Sequence, residues 1–249
     1  MKKIFILLLI TSLSVSCNVF NGVKLPTGTS VVKQLTQTDI ANGLKNALTV
    51  GTGNTVNLVS VLNGYYGNQL IKIPFPKEAQ VVKDVCEQVP ALKTQITQFE
   101  EKLNRAAEDA AKGAKDIFVT AITQMTIPDA IAILKGQDNA ATEYLKSKTY
   151  STLYQKFVPI VKNSTEKVML AKYWTPLADK YNSTAALVTG KKVNVDLNDY
   201  VTKKALDGLF IMIAKEEEKI RINPAARVND LLKQVFGSSY NPHNSTNTK

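Results

Sequence analysis

A chain of 249 residues with 44% hydrophobic side chains can bury a core as one domain, which excludes both a disordered chain and a disulfide-stapled miniprotein. Its 31 Lys and Arg outnumber 21 Asp and Glu, for a formal charge of +10. One histidine and two cysteines leave too little material for a Ser-His-Asp triad, a His-ligated zinc site or a disulfide framework, so no metal and no cofactor is expected.

The chain opens on Lys2 and Lys3, an apolar run from Ile4 to Ile10, and small polar residues up to Cys17. The run is too short to cross a bilayer, which takes roughly 20 apolar residues, so it reads as a secretory signal. Leu13-Ser14-Val15-Ser16-Cys17 resembles a bacterial lipobox, except that Ser14 stands three places before the cysteine, where Leu is usual. The expectation is a signal peptide over 1–16, a membrane anchor through acylated Cys17 and a tether over 17–37. Losing Lys2 and Lys3 takes the charge from +10 to +8. An exported basic protein meets anionic lipids and envelope polymers, so no nucleic-acid partner is expected. No acidic cluster follows Cys17, which favours the periplasmic face of the outer membrane.

Thr38 and Asp39 open the domain, expected over 38–237. Ile40, Leu44, Ala47 and Leu48 hold a helical stripe, and Gly51-Thr52-Gly53-Asn54 predicts a break before Val56 resumes it. Neither these glycines nor Gly190-Lys191-Lys192 is followed as a phosphate-cradling P-loop requires. Asn63-Gly64-Tyr65-Tyr66-Gly67 predicts a turn. Ile71 to Pro76 predicts a strap or an edge strand, with Val193-Asn194-Val195 as its one candidate partner. From Pro90 an alanine-rich stripe runs about eight turns to Ala121, through Gly113, and is placed at the domain centre. Thr126 with Asp129 predicts a capping box, and Gly136 a helix end. Asp138 begins another helix, a further one is bent or broken at Pro159, and Trp174 to Leu177 marks a short one. Asp196 caps Leu197 to Ala214, Asn223-Pro224 starts the last helix, Gly237 closes it, and 238–249 has the composition of a disordered tail. The fold class is therefore all-α, a single compact multi-helix domain with room for one very short two-stranded element.

The sole histidine, His243, lies in that tail, and Cys86 without a histidine base reads as a small core residue. Arg105 shares a helix side with Glu101, Glu108 and Asp109, and Glu217 stands four residues before Arg221; such spacings usually decorate a surface.

Four segments carry a wider resemblance: Asn104 to Glu108, Ile133 to Tyr144, Tyr200 to Phe210 and Ile220 to Arg227. They resemble the bacterial DUF4197 family, over nearly all of Thr38 to Gly237. The resemblance implies an exported all-helical domain of unknown function and transfers no catalytic residue. It points to Arg105, Glu108, Asp138, Tyr144, Lys204, Asp207, Arg221 and Arg227 as a candidate polar cluster. Buried charges must be paired or bind something, and internal scaffolding is the commoner outcome. The leading functional expectation is a non-enzymatic envelope lipoprotein that binds a lipid, an anionic polymer or a protein partner. The competing one is a hydrolase or transferase acting on envelope material with a carboxylate acid and base, which requires two carboxylates facing one cleft.

Overall fold

The computed structural model describes residues 35–227 and 229–247, and they are all-α. The expected signal peptide, Cys17 and most of the tether lie outside the described residues. Helix α1 (Gln37–Val59) starts under a capping box in which Thr36 and Asp39 satisfy each other's backbone N–H. An irregular strap leads to α2 (Gln80–Glu87) and α3 (Pro90–Ala111), then α4 (Lys115–Thr123), α5 (Ile127–Lys135) and α6 (Ala140–Lys167). After α7 (Leu170–Ser183) and α8 (Ala185–Thr189) come α9 (Leu197–Ile222) and α10 (Asp230–Phe236). Among the described residues, no single helix is long and apolar enough to cross a membrane.

Helices α3 and α9 form the centre: α9 packs on α6, α1 and α3, while α3 also meets α6 and α7. The alanines of α3, Ala106, Ala107, Ala110 and Ala111, are fully buried, and their small side chains are what let three helices approach one axis. Phe75 from the strap, Phe99 and Trp174 close one end of the core with ring centroids 5.0 to 6.0 Å apart.

Several local expectations give way to packing. Gly51 to Asn54 does not break α1, because Gly51 turns toward α9: a Cβ there would lie 3.4 Å from Glu216 Cγ, in ordinary contact. The long helix from Pro90 is interrupted at Lys112–Ala114, where Gly113 lets Ile160 of α6 come in close. Conversely, α6 runs through Pro159 as one helix instead of two, and Asn139 rather than Asp138 stands at its N-cap. Helix α9 continues beyond Ala214 to Ile222. Asn223-Pro224 opens a single 3-10 turn, and α10 starts later under an Asn229 cap. The segment 238–244, expected as a disordered tail, is packed: Asn241 is fully buried and its amide donates to the carbonyls of Arg221 and Phe236.

The short two-stranded element does not form, for a reason visible in its hydrogen bonds. Asn104 takes both backbone groups of Ile73, accepting its N–H at 2.7 Å and donating to its C=O at 2.9 Å. Pro74 and Pro76 have no N–H to offer. On the other segment, Asn182 accepts the Val193 N–H at 3.1 Å. Each would-be strand is thus satisfied by an asparagine side chain and needs no partner.

Two glycines test how this packing was achieved. A Cβ on Gly53 meets nothing within 4 Å, so Gly53→Ala removes a helix-interior glycine at no steric cost and should stabilise the fold by about 0.5–1 kcal/mol. At Gly208 of α9 the added Cβ would stand 2.7 Å from Tyr65 Cε1 and 3.2 Å from Ile71 Cβ, so Gly208→Ala should cost about 1–3 kcal/mol. Urea denaturation of the two variants should move the midpoint in opposite directions.

Candidate functional site: a lysine-rimmed cleft

The first ion pair lies on α9. Arg221 is fully buried and Glu217 is 6% exposed, and the guanidinium donates to Glu217 Oε1 at 2.8 and 3.0 Å. Their remaining bonds go to helix ends. Arg221 also donates to the carbonyls of Ile133 and Leu134, which end α5. Glu217 accepts the backbone N–H groups of Ala141 and Thr142 and the Thr142 hydroxyl at 2.8 to 2.9 Å, which begin α6. A cation on a helix C-terminus and an anion on a helix N-terminus are the arrangement the two macrodipoles favour. Arg227 extends the network by donating to the carbonyls of Ile220 and Arg221 at the end of α9.

A second ion pair on α3 holds the strap. Arg105 donates to Glu108 Oε2 at 2.8 Å, to Glu101, and to Asn63 Oδ1 at 2.9 Å. Asn63 occupies the left-handed region, with φ of 68°, which an asparagine tolerates in a turn. Glu108 Oε1 accepts the N–H groups of Tyr65 and Tyr66, both at 3.1 Å. Tyr65 is fully buried and its hydroxyl donates to the Ala205 carbonyl, tying the strap to α9. Burial, with a further push from the Glu108 charge, moves the Tyr65 phenol far above its ordinary value, so it stays neutral.

The eight candidate residues therefore do not converge on one cluster. Arg105 and Glu108 belong to the strap network, Arg221 and Arg227 to the α5–α6 corner. Asp138 contacts His243, and Tyr144 donates to Asp129 at 3.1 Å inside the α5 capping box. Lys204 and Asp207 are 4.0 Å apart, with both side chains 44% exposed, a pairing worth at most about 1 kcal/mol. Of the two ion pairs read as surface decoration from spacing, Glu217–Arg221 is buried and Arg105–Glu108 is partly buried, and each has a structural task.

What remains without a structural task lines a cleft of about 390 Å³ bounded by the strap, the first turns of α6 and the middle of α9. Lys72, Lys146 and Lys204 stand around it with Glu143 and Asp207, above Ile71 and Phe210. Leu70 and Ile211, also on its wall, are 62% and 42% exposed. Neither ion pair lines this cleft, but each supports one of its walls: Glu108 fixes the strap that forms one, and Glu217 fixes the start of α6 that forms another. Lys72 and Lys146 carried no signal in the sequence, since isolated lysines at those positions look like any solvated surface. Cys86 is a core residue: it is fully buried, its thiol points at the Leu177 carbonyl, and burial raises its pKa, against the weaker opposite pull of Lys180.

Fold and site together define an all-helical domain whose internal charges brace the walls of an open cleft lined by three lysines, two carboxylates and apolar side chains. The chain belongs to the family described as protein of unknown function (DUF4197), whose model matches residues 34–237. No curated protein and no solved structure matches it.

Proposed function

We propose that this protein is an envelope lipoprotein, anchored through acylated Cys17 at the periplasmic face of the outer membrane, that binds an anionic amphiphile in the cleft and performs no chemistry on it. The observation that carries this reading is the pairing of three lysines with exposed Leu70 and Ile211 on one cleft. Such a surface suits a phosphate or carboxylate head with an apolar chain attached. A solvated lysine rim attracts the head, and the aliphatic wall gains by covering.

A second reading is kept alive by one feature. Glu143 and Asp207 line the same cleft, as a carboxylate-dependent hydrolase or transferase would require. Against it, Glu143 is exposed and the Asp207 side chain is 44% exposed, whereas an acid that protonates a leaving group is normally withdrawn from water.

The test is recovery of the native protein from membranes, followed by mass spectrometry of what accompanies it. An anionic amphiphile should be enriched over a control lipoprotein. The triple variant Lys72→Ala/Lys146→Ala/Lys204→Ala should weaken its retention by about tenfold or more, at roughly 0.5–1 kcal/mol per lysine. Equal recovery with the triple variant would remove the cleft from consideration. Processing of an envelope glycan that stops in Glu143→Gln or Asp207→Asn would instead establish the enzyme. A Cys17→Ser chain that still labels with a clickable palmitate would remove the anchor.

A further inference from the structure

Helix α8 is an appendage that packs mainly on α7, burying Ala186 beside Tyr181. Its opposite side carries the two most exposed large apolar side chains among the described residues, Leu187 at 77% and Val188 at 90%. Gly190, with φ of 68°, turns the chain directly after them and delivers exposed Lys191 and Lys192 beside the tip. From Lys180 to Val195 the chain has three lysines and no Asp or Glu, with Asp179 and Asp196 directly outside the stretch. Among the described residues none of the three lysines is held in an ion pair.

We infer that the α8 tip, Leu187 and Val188 with Lys191 and Lys192, docks onto an anionic lipid surface, the aliphatic pair entering the headgroup boundary and the lysines meeting the lipid phosphates. The charge complementarity selects this occupant. A protein partner is disfavoured by area, because two protruding side chains cover far less than the ~800 Å² per partner that a stable interface buries. A membrane imposes no such minimum. Its interface rewards a small apolar wedge with a basic collar, and lysine stems reach back to the phosphates while their tips stay wet. Each lysine near an anionic surface multiplies binding by about fivefold. The surface lies apart from the cleft and shares no residue with it, so the inference needs from the proposed function only that a membrane is within reach.

The experiment places an environment-sensitive fluorophore at residue 188 in the full chain carrying Cys17→Ser and Val188→Cys; the Cys17→Ser parent reports any label taken up by Cys86. Vesicles of phosphatidylglycerol with phosphatidylcholine should shift the emission to the blue, and vesicles of phosphatidylcholine alone should shift it far less. A matching label at exposed Thr97 on α3 should not respond. Lys191→Ala with Lys192→Ala should weaken the response by about 25-fold in vesicle concentration. The cleft triple variant should leave it unchanged, so this inference and the amphiphile reading fail separately. The inference is overturned by an unmoved spectrum at residue 188 with anionic vesicles, by an equal shift at residue 97, or by indifference to the two lysine substitutions. A blue shift that needs no vesicles and grows with protein concentration also overturns it, assigning the tip to self-association.

Discussion

Glu217→Ala should destabilise the domain by about 3–5 kcal/mol, a large share of the 5–15 kcal/mol that typically holds a domain folded. The loss has two parts. Arg221, fully buried, keeps its charge and loses its counter-ion. The N–H groups of Ala141 and Thr142 also lose the acceptor that ends their exposure at the start of α6. This second part separates the pair from an ordinary buried salt bridge, which can often be replaced by apolar residues of similar volume without loss. Here the double variant Glu217→Leu/Arg221→Met should remain clearly unstable, because the Leu134 carbonyl and the two α6 N–H groups stay orphaned whatever fills the space, even though the Ile133 carbonyl keeps the Gly136 N–H. Urea denaturation of both single variants and the double decides it: recovery of parental stability in the double would show that the charges, and not the helix ends, set the cost.

Glu108→Ala should cost about 3 kcal/mol and should also disable the cleft. Its carboxylate is the acceptor for two consecutive strap amides and the partner of Arg105, so its removal frees one end of the strap while Asn104 still grips the other. Hydrogen exchange should then quicken at residues 65 and 66 while the Ile73 amide stays protected. Lys72, mid-strap, would lose its fixed place on the cleft rim. The expected functional signature is weakened amphiphile retention in a protein whose α6 and α9 remain intact by the same exchange measurement. Uniform loss of protection across all helices would show instead that the strap is merely part of the global fold. Asn104→Ala should give the mirror image, loosening the strap at residue 73.

The parts of the fold legible in the sequence were those decided by neighbours along the chain. Thr126 with Asp129, Asp196 before α9, and the glycines after α5 and α10 all act within one helical turn, so their spacing is their mechanism. The alanine stripe of α3 was readable because a close-packed helix needs small residues wherever it lies. What misled were residues whose local habit is overruled by distant partners. Gly51 and Gly53 break a helix in isolation, but a neighbouring α9 supplies the packing that keeps α1 whole. Pro159 costs one hydrogen bond, which the burial of Phe157 and Val161 in α6 outweighs. The spacing of Glu217 and Arg221 is the same for an exposed pair and a buried one; only the position of α5 and α6, some 75 residues earlier in the chain, tells them apart. The cleft was half legible: Lys204, Asp207 and Glu143 stood in the segments that carried the family resemblance, whereas Lys72 and Lys146 join them only through the fold.

The reliance of early elements on late ones bears on how the molecule comes into being. Emerging amino end first, the chain can coil α5 and α6 at once, but the residues that seal the corner between them arrive only with α9, and Asn241, which closes α9 in turn, arrives later still. Until then the first amides of α6 and the last carbonyls of α5 lack the side chains that satisfy them. A chain cut after Gly237 keeps Glu217 and Arg221 but loses the Asn241 amide from the end of α9, and should therefore unfold at a lower urea concentration than the parent.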